Sequence, residues 1–194
     1  YPNIQYHFFP SLVLDHGRKT PSGHSFQAHV GPMRPTSRGE IRLKSNKPND
    51  TPSIQFNYMQ TEHDLNEMRD GIEIARNIFN QKAFDEYRGK ELSPGIREKS
   101  KESINEFIRN KGDTAYHPSC TCKMGNDESS VVNEKLKVHG IEKLRVVDAS
   151  VMPNIITGNL NAATVMIAEK ASDLILKRAP LELEDHNFYR ANYN

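Results

Sequence analysis

The hydrophobic period of this chain changes once, near residue 60, from two to about 3.6 residues, and that change constrains its fold more than any other feature. Ile4-Gln5-Tyr6-His7-Phe8-Phe9 is a short apolar and aromatic run stopped by Pro10. Further runs at 25–30, 40–44 and 53–59 are separated by the turn residues Gly31-Pro32, Ser37-Arg38-Gly39 and Lys47-Pro48-Asn49-Asp50. In Ile41-Arg42-Leu43 and Ile54-Gln55-Phe56-Asn57-Tyr58 the alternation leaves one wet face, so Ile41, Leu43, Ile54 and Phe56 are expected inside. Beyond residue 60, Leu65, Met68, Ile72, Ala75 and Phe79 form one apolar stripe and predict a helix over 61–80. Thr61 with Asp64 has the spacing of a capping box, with a shorter acid than usual. A second helix is expected over 101–110, with Ser100 as cap, Ile104, Phe107 and Ile108 inward, and Lys111-Gly112 as stop. Strands followed by helices give an α+β fold: an antiparallel sheet covered on one face by the two helices.

The last third is organised differently. Leu136-Lys137-Val138 and Leu144-Arg145-Val146-Val147 read as short strands, and 161–177 as a helix burying Ala163, Met166, Ile167, Ala171, Leu174 and Ile175. Residues 179–194 read as a loose polar tail. With 26 Lys+Arg against 25 Asp+Glu, the chain has no basic field to hold nucleic acid. No apolar run approaches the ~18 residues of a membrane span. Two Cys exclude a disulfide scaffold and suit a reducing compartment. The chain opens at Tyr1, without Met, on a segment that reads as a strand, so a piece of a longer protein is expected.

Two segments carry chemistry. Tyr116-His117-Pro118-Ser119-Cys120-Thr121-Cys122-Lys123-Met124-Gly125 gathers His, Cys and Thr in an irregular stretch. His117, Cys120 and Cys122, with His139 as a fourth ligand, are spaced H-x2-C-x-C, which lacks the Cys pairing of common structural zinc sites, and no metal is expected. The bland alternative is a buried loop whose histidine is simply hydrogen-bonded. The second segment runs from Leu144 through Asp148-Ala149-Ser150 and Met152-Pro153 to Gly158-Asn159-Leu160-Asn161-Ala162-Ala163-Thr164. An apolar strand, an Asp, a loop and a helix opening on Asn and small residues suit close approach of a planar ligand and an anionic group at the helix N-terminus. Its alternative is an ordinary strand–loop–helix connection capped by Asn161.

Together, His117-Pro118-x-x-Thr121-x-x-Met124-Gly125, Leu144 to Ser150, and Gly158-Asn159-x-Asn161-Ala162-x-Thr164 resemble the C-terminal signature of the glucose–methanol–choline (GMC) oxidoreductases. Gln5-Tyr6-His7-Phe8, Phe26-Gln27-x-His29-Val30-Gly31, Ser37-Arg38-Gly39 and Phe56-Asn57-Tyr58-Met59 resemble its choline dehydrogenase branch. Many family members have Gly where Cys120 stands and Pro where Ala163 stands. The G-x-G-x-x-G turn that opens family members and holds the ADP part of FAD does not occur in these 194 residues.

The resemblance implies a substrate-binding domain over 1–135, the last strand and helix of a FAD-binding domain over 136–178, and a missing N-terminal FAD-binding half. It implies oxidation of choline to betaine aldehyde, on the way to glycine betaine, by hydride transfer to flavin N5. His117 is implied as the base, or as the group stabilising the alkoxide, because imidazole titrates near working pH. Asn159 would orient the alcohol oxygen. Asp148 and Ala149 would contact the ribityl–phosphate part of the cofactor, and Asn159, Asn161 and Ala162 its flavin end. Tyr6, Phe8, Tyr58 and Tyr116 are aromatic candidates for the quaternary ammonium. Electrons would pass to a respiratory-chain acceptor, by analogy in the cytoplasm or on the mitochondrial matrix side, with peripheral contact to the inner or plasma membrane. The alternatives are a dehydrogenase for another primary alcohol and a non-catalytic orphan module.

Overall fold

A computed structural model describes residues 2–19 and 23–182; the expected tail lies outside the described residues from 183 onward. The architecture is α+β. Strands β1 (Ile4–Phe9) and β2 (Gln27–Pro32) pair antiparallel with Tyr6 opposite Val30. β3 (Glu40–Arg42) and β4 (Ser53–Gln55) pair antiparallel with Ile41 opposite Ile54. Helices α1 (Glu62–Phe79), α2 (Lys101–Lys111) and α3 (Asn161–Leu176) follow.

The helix boundaries follow their caps. Thr61 Oγ1 accepts the Asp64 N–H at 3.2 Å, and Ser100 Oγ accepts the Ser103 N–H at 3.1 Å. α1 lies on the first sheet at Gly71, where a Cβ would come within 2.6 Å of Val30 Cγ2, and Tyr6 Oη donates to Gly71 O at 2.5 Å. Leu65 and Ile72 of α1 meet Ile104 and Ile108 of α2, with Val30, Met59, Met68 and Phe107 around them. Phe79 leaves this stripe for an aromatic cluster with Phe8, Phe26 and Phe84, at ring separations of 5.1–6.3 Å.

Three sequence expectations need correction. The single sheet is two separate two-stranded sheets, and Ile41, Leu43, Ile54 and Phe56 are at least half exposed. α1 packs on β2, and three residue pairs are too short a ribbon to reach under it. The expected strands at 136–138 and 144–147 are single bridges, Val132 to Val138 and Lys137 to Arg145. Left-handed Leu136 (φ +62°) and Lys143 (φ +61°) break the extended path there. On α3, Ala171 is buried, whereas Met166 and Ile175 are more than half exposed.

Val132, Leu136, Val151 and Ala171 make a second core, with Met124, Val146, Val147 and Ile167 beside it. Residues 113–123 carry the chain from the first core to this one. The accessible surface is 15600 Å². A compact monomer of 22.1 kDa exposes about 9,300 Å², and Leu43, Tyr87, Ile96 and Met166 are among the large apolar side chains left more than 60% exposed here.

Candidate active site

His117 sits between two left-handed backbone positions, Tyr116 (φ +59°) and Cys120 (φ +71°), which kink the segment out of any regular element. Thr114 anchors its start, accepting Tyr58 Oη and the Tyr116 N–H on Oγ1, each at 3.0 Å. His117 is exposed, and among the described residues its ring makes no hydrogen bond. Within the described residues both ring nitrogens are open.

Downstream, the segment is locked. The N–H groups of Cys120, Cys122 and Met124 donate to the carbonyls of Ala149, Ser150 and Val151 at 3.3, 2.9 and 2.8 Å. Alternate residues of this irregular segment thus bond to consecutive residues of a 3₁₀ turn, Ala149–Val151. The 125–130 turn closes on Asp127, whose carboxylate accepts from Ser129 Oγ, Ser130 Oγ and Lys123 Nζ and is held far below the usual carboxylate range by those bonds. Among the described residues, no three His, Cys, Asp or Glu side chains come together as metal ligands.

Asp148 caps the 3₁₀ turn. Its Oδ1 accepts the Ser150 N–H at 2.8 Å and the Ser150 hydroxyl, and Val151 behind it is fully buried. Val151 shares the second core with Ala171 of α3, so the turn and the helix are held together by packing. The loop between them contains Gly158 at φ +131°, a conformation that L side chains rarely adopt. Asn159 follows, with its Oδ1 accepting Gln5 Nε2 at 3.4 Å, which leaves the amide NH2 to donate elsewhere.

α3 begins without a side-chain cap. Leu160 occupies the cap position in a helical conformation, and Asn161 is the first helical residue rather than the expected cap. The N–H groups of Asn161, Ala162 and Ala163 therefore lack intrahelical acceptors, and the first such bond runs from Thr164 N to Leu160 O at 2.9 Å. Open donors, small side chains and the positive end of the helix dipole fit the anionic edge of a flavin. A cradle for a pyrophosphate is absent from the sequence, so these residues suit one end of FAD only.

The structure brings the His117 segment against Asp148 and Ala149, and places Asn159, Asn161 and Ala162 at one helix entrance. No described contact joins His117 to Asn159. Of the aromatic candidates, Tyr6 is tied to Gly71, with its phenol pKa raised by burial, and Phe8 packs in the aromatic cluster. Tyr58 stacks on Phe56 at 5.1 Å and 11°, and Tyr116 is 69% exposed.

Sequence reasoning placed Asp64 at the start of α1 but missed its partners. Its carboxylate does not reach back to the Thr61 N–H, as a capping box requires, because Asp is one methylene shorter than Glu. It accepts instead from Thr36 N and Oγ1 (2.7 and 2.9 Å) and from Ser37 N and Oγ (2.9 and 2.5 Å). Arg38 follows that clamp and donates from Nη2 to Asn154 Oδ1 at 3.0 Å. The shorter acid at the third helical position was the available signal.

A family model described as GMC oxidoreductase matches residues 35–168. The chain is 55% identical, over 98% of its length, to an oxygen-dependent choline dehydrogenase of Pseudomonas aeruginosa strain UCBPP-PA14, and covers 34% of that protein. It is 54% identical, with the same coverage, to an oxygen-dependent choline dehydrogenase of Serratia proteamaculans. The chain thus spans about a third of the length of the curated relatives it matches. Among solved structures, pyridoxine 4-oxidase from Mesorbium loti superposes with a TM-score of 0.83 at 30% identity, covering 92% of this chain and 35% of that one. A formate oxidase superposes with a TM-score of 0.81 at 30% identity, covering 91% and 32%.

Proposed function

Because the chain belongs to the GMC oxidoreductase family, we propose that it is the C-terminal part of an FAD-dependent choline dehydrogenase that oxidises choline to betaine aldehyde. The chain alone is inactive, since the dinucleotide-binding turn lies in the N-terminal half that completes the enzyme. Residues 1–135 serve the substrate, and 136–178 complete the cofactor domain. Bound FAD supplies the hydride acceptor.

A ring nitrogen of His117 takes the hydroxyl proton of the alcohol, a task its open, unbonded ring suits. The Asn159 amide, its oxygen occupied by Gln5, donates to the oxygen as negative charge grows there. The uncapped N-terminus of α3, with Asn161 and Ala162, favours an anionic cofactor edge. Asp148 and Ala149, fixed by the 3₁₀ turn, line the remainder of the cofactor.

One observation carries this reading: an irregular segment and a 3₁₀ turn about 30 residues further on are welded into one unit by three backbone bonds beside a histidine whose ring is unbonded among the described residues. The greater identity to choline dehydrogenases (55%) than to the pyridoxine or formate oxidase (30%) favours choline over another alcohol. Electrons leave to the respiratory chain, with peripheral membrane contact on the cytoplasmic or mitochondrial matrix side; no described helix is long and apolar enough to cross a membrane. Oxygen uptake by purified enzyme tests this acceptor against the oxygen on which the relatives depend by name.

The decisive experiment is His117→Ala in the full-length enzyme. It should retain FAD and choline affinity while flavin reduction slows ~10²–10⁴-fold. Loss of flavin, with the folded fraction reduced at the normal rate, would refute the assignment.

A further inference from the structure

Among the described residues, two side-chain bonds reach the loop at 153–160 from residues 2–112: Gln5 to Asn159 at 3.4 Å, and Arg38 to Asn154 at 3.0 Å. That loop has no strand or helix of its own, yet it delivers Asn159 and the entrance of α3. Arg38 is prepared for the bond by its own turn. Nη1 donates to Pro35 O at 2.9 Å and to Ser37 O at 3.0 Å, and Arg38 O accepts Asn57 Nδ2 at 3.1 Å. Immediately upstream, Asp64 fixes Thr36 and Ser37 with four hydrogen bonds at the start of α1. The guanidinium is therefore a donor placed by a rigid corner of the first core, and Asn154 is its acceptor in the segment that carries the site.

We infer that Arg38 is a positioning residue: through Asn154 it holds the 153–160 loop, and so sets where Asn159 and the N-terminus of α3 stand relative to His117. The inference rests on the role of Asn159 given above. Arg38 touches no reacting atom, and its effect is on geometry, where a misplacement of about 1 Å can cost up to ~10²-fold in rate.

The test is anaerobic stopped-flow reduction of the full-length, FAD-loaded enzyme by choline, reading the limiting rate and the apparent Kd separately. Arg38→Ala and Asn154→Ala should each lower the limiting rate about 10- to 100-fold, with Kd, flavin content and Tm close to wild type. The double variant should be no slower than the slower single one, because both changes remove one bond. Asn154→Asp keeps the acceptor oxygen and should recover the rate to within about twofold. Losses that multiply in the double variant, an Asn154→Asp variant as slow as Asn154→Ala, or flavin loss from Arg38→Ala while Asn154→Ala is normal would each overturn the inference. If choline reduces the wild type, Asn159→Ala slows that step and Asn154→Ala does not, this inference alone fails. A wild type that choline does not reduce overturns the proposed function and the inference with it.

Discussion

Asp64→Asn tests how firmly the corner between the first sheet and α1 is built. The carboxylate is fully buried, and burial by itself would push its pKa up. The hydrogen bonds from Ser37 and Thr36 outweigh that and hold it at about 2, against an ordinary 3.8. That difference is worth about 2 kcal/mol in favour of the ionised folded state. Asn adds a second cost, because its NH2 must face one of the two backbone N–H donors and leave it unpaired, at about 1–3 kcal/mol. D64N should therefore lose about 3–5 kcal/mol at pH 7 in urea titrations followed by circular dichroism. The sign with pH follows from a depressed carboxyl. The ionic contribution is complete above about pH 4 and is lost as pH falls through about 2. The gap between wild type and D64N should hold from pH 7 to pH 5 and narrow by about 2 kcal/mol on going to pH 2. A gap that stays constant over that range, or one below ~0.5 kcal/mol at pH 7, as for an exposed charge, would refute the clamp.

Three further outcomes are expected. In the full-length enzyme, Asn159→Ala should slow flavin reduction by an amount on the order of 3 kcal/mol while choline binding changes little; a rise in KM alone would make it a binding residue. Gly71→Ala places a methyl within 2.6 Å of Val30 Cγ2 and should cost about 1–3 kcal/mol in the same urea assay, with no loss meaning that α1 slides freely on β2. The chain by itself should retain no yellow flavin through gel filtration, and stoichiometric retention would show that the dinucleotide turn is dispensable.

What sequence reading reached was what depends on neighbours along the chain. Thr61 and Ser100 cap the helices as their spacing implied, and the stripe of Leu65 and Ile72 faces Ile104 and Ile108. The β3–β4 ribbon escaped because alternation shows which side chains share a face, without showing whether anything in the chain covers it; Ile41 and Ile54 share a face that is half exposed. The candidate site divides the same way. His117 and Asn159 were named from motifs, but the bonds tying Cys120, Cys122 and Met124 to the 3₁₀ turn join residues some 27–29 positions apart, and no local pattern encodes them. Asp64 was seen at the right place and given the wrong partner, because its donors lie 27 and 28 residues upstream.

The ladder between those segments also sets what kinds of sequence change the site can survive. Its donors are every second residue, Cys120, Cys122 and Met124, while the carbonyl of Lys123 between them faces the other way and accepts from Val131. Side chains along it can be exchanged, since backbone atoms make the bonds. Adding or deleting one residue between Pro118 and Met124 would turn these N–H groups away from the Ala149–Val151 carbonyls and put the bonds out of register. Descent with modification can therefore rewrite much of this stretch, left-handed Cys120 and core-packed Met124 apart, but not its length.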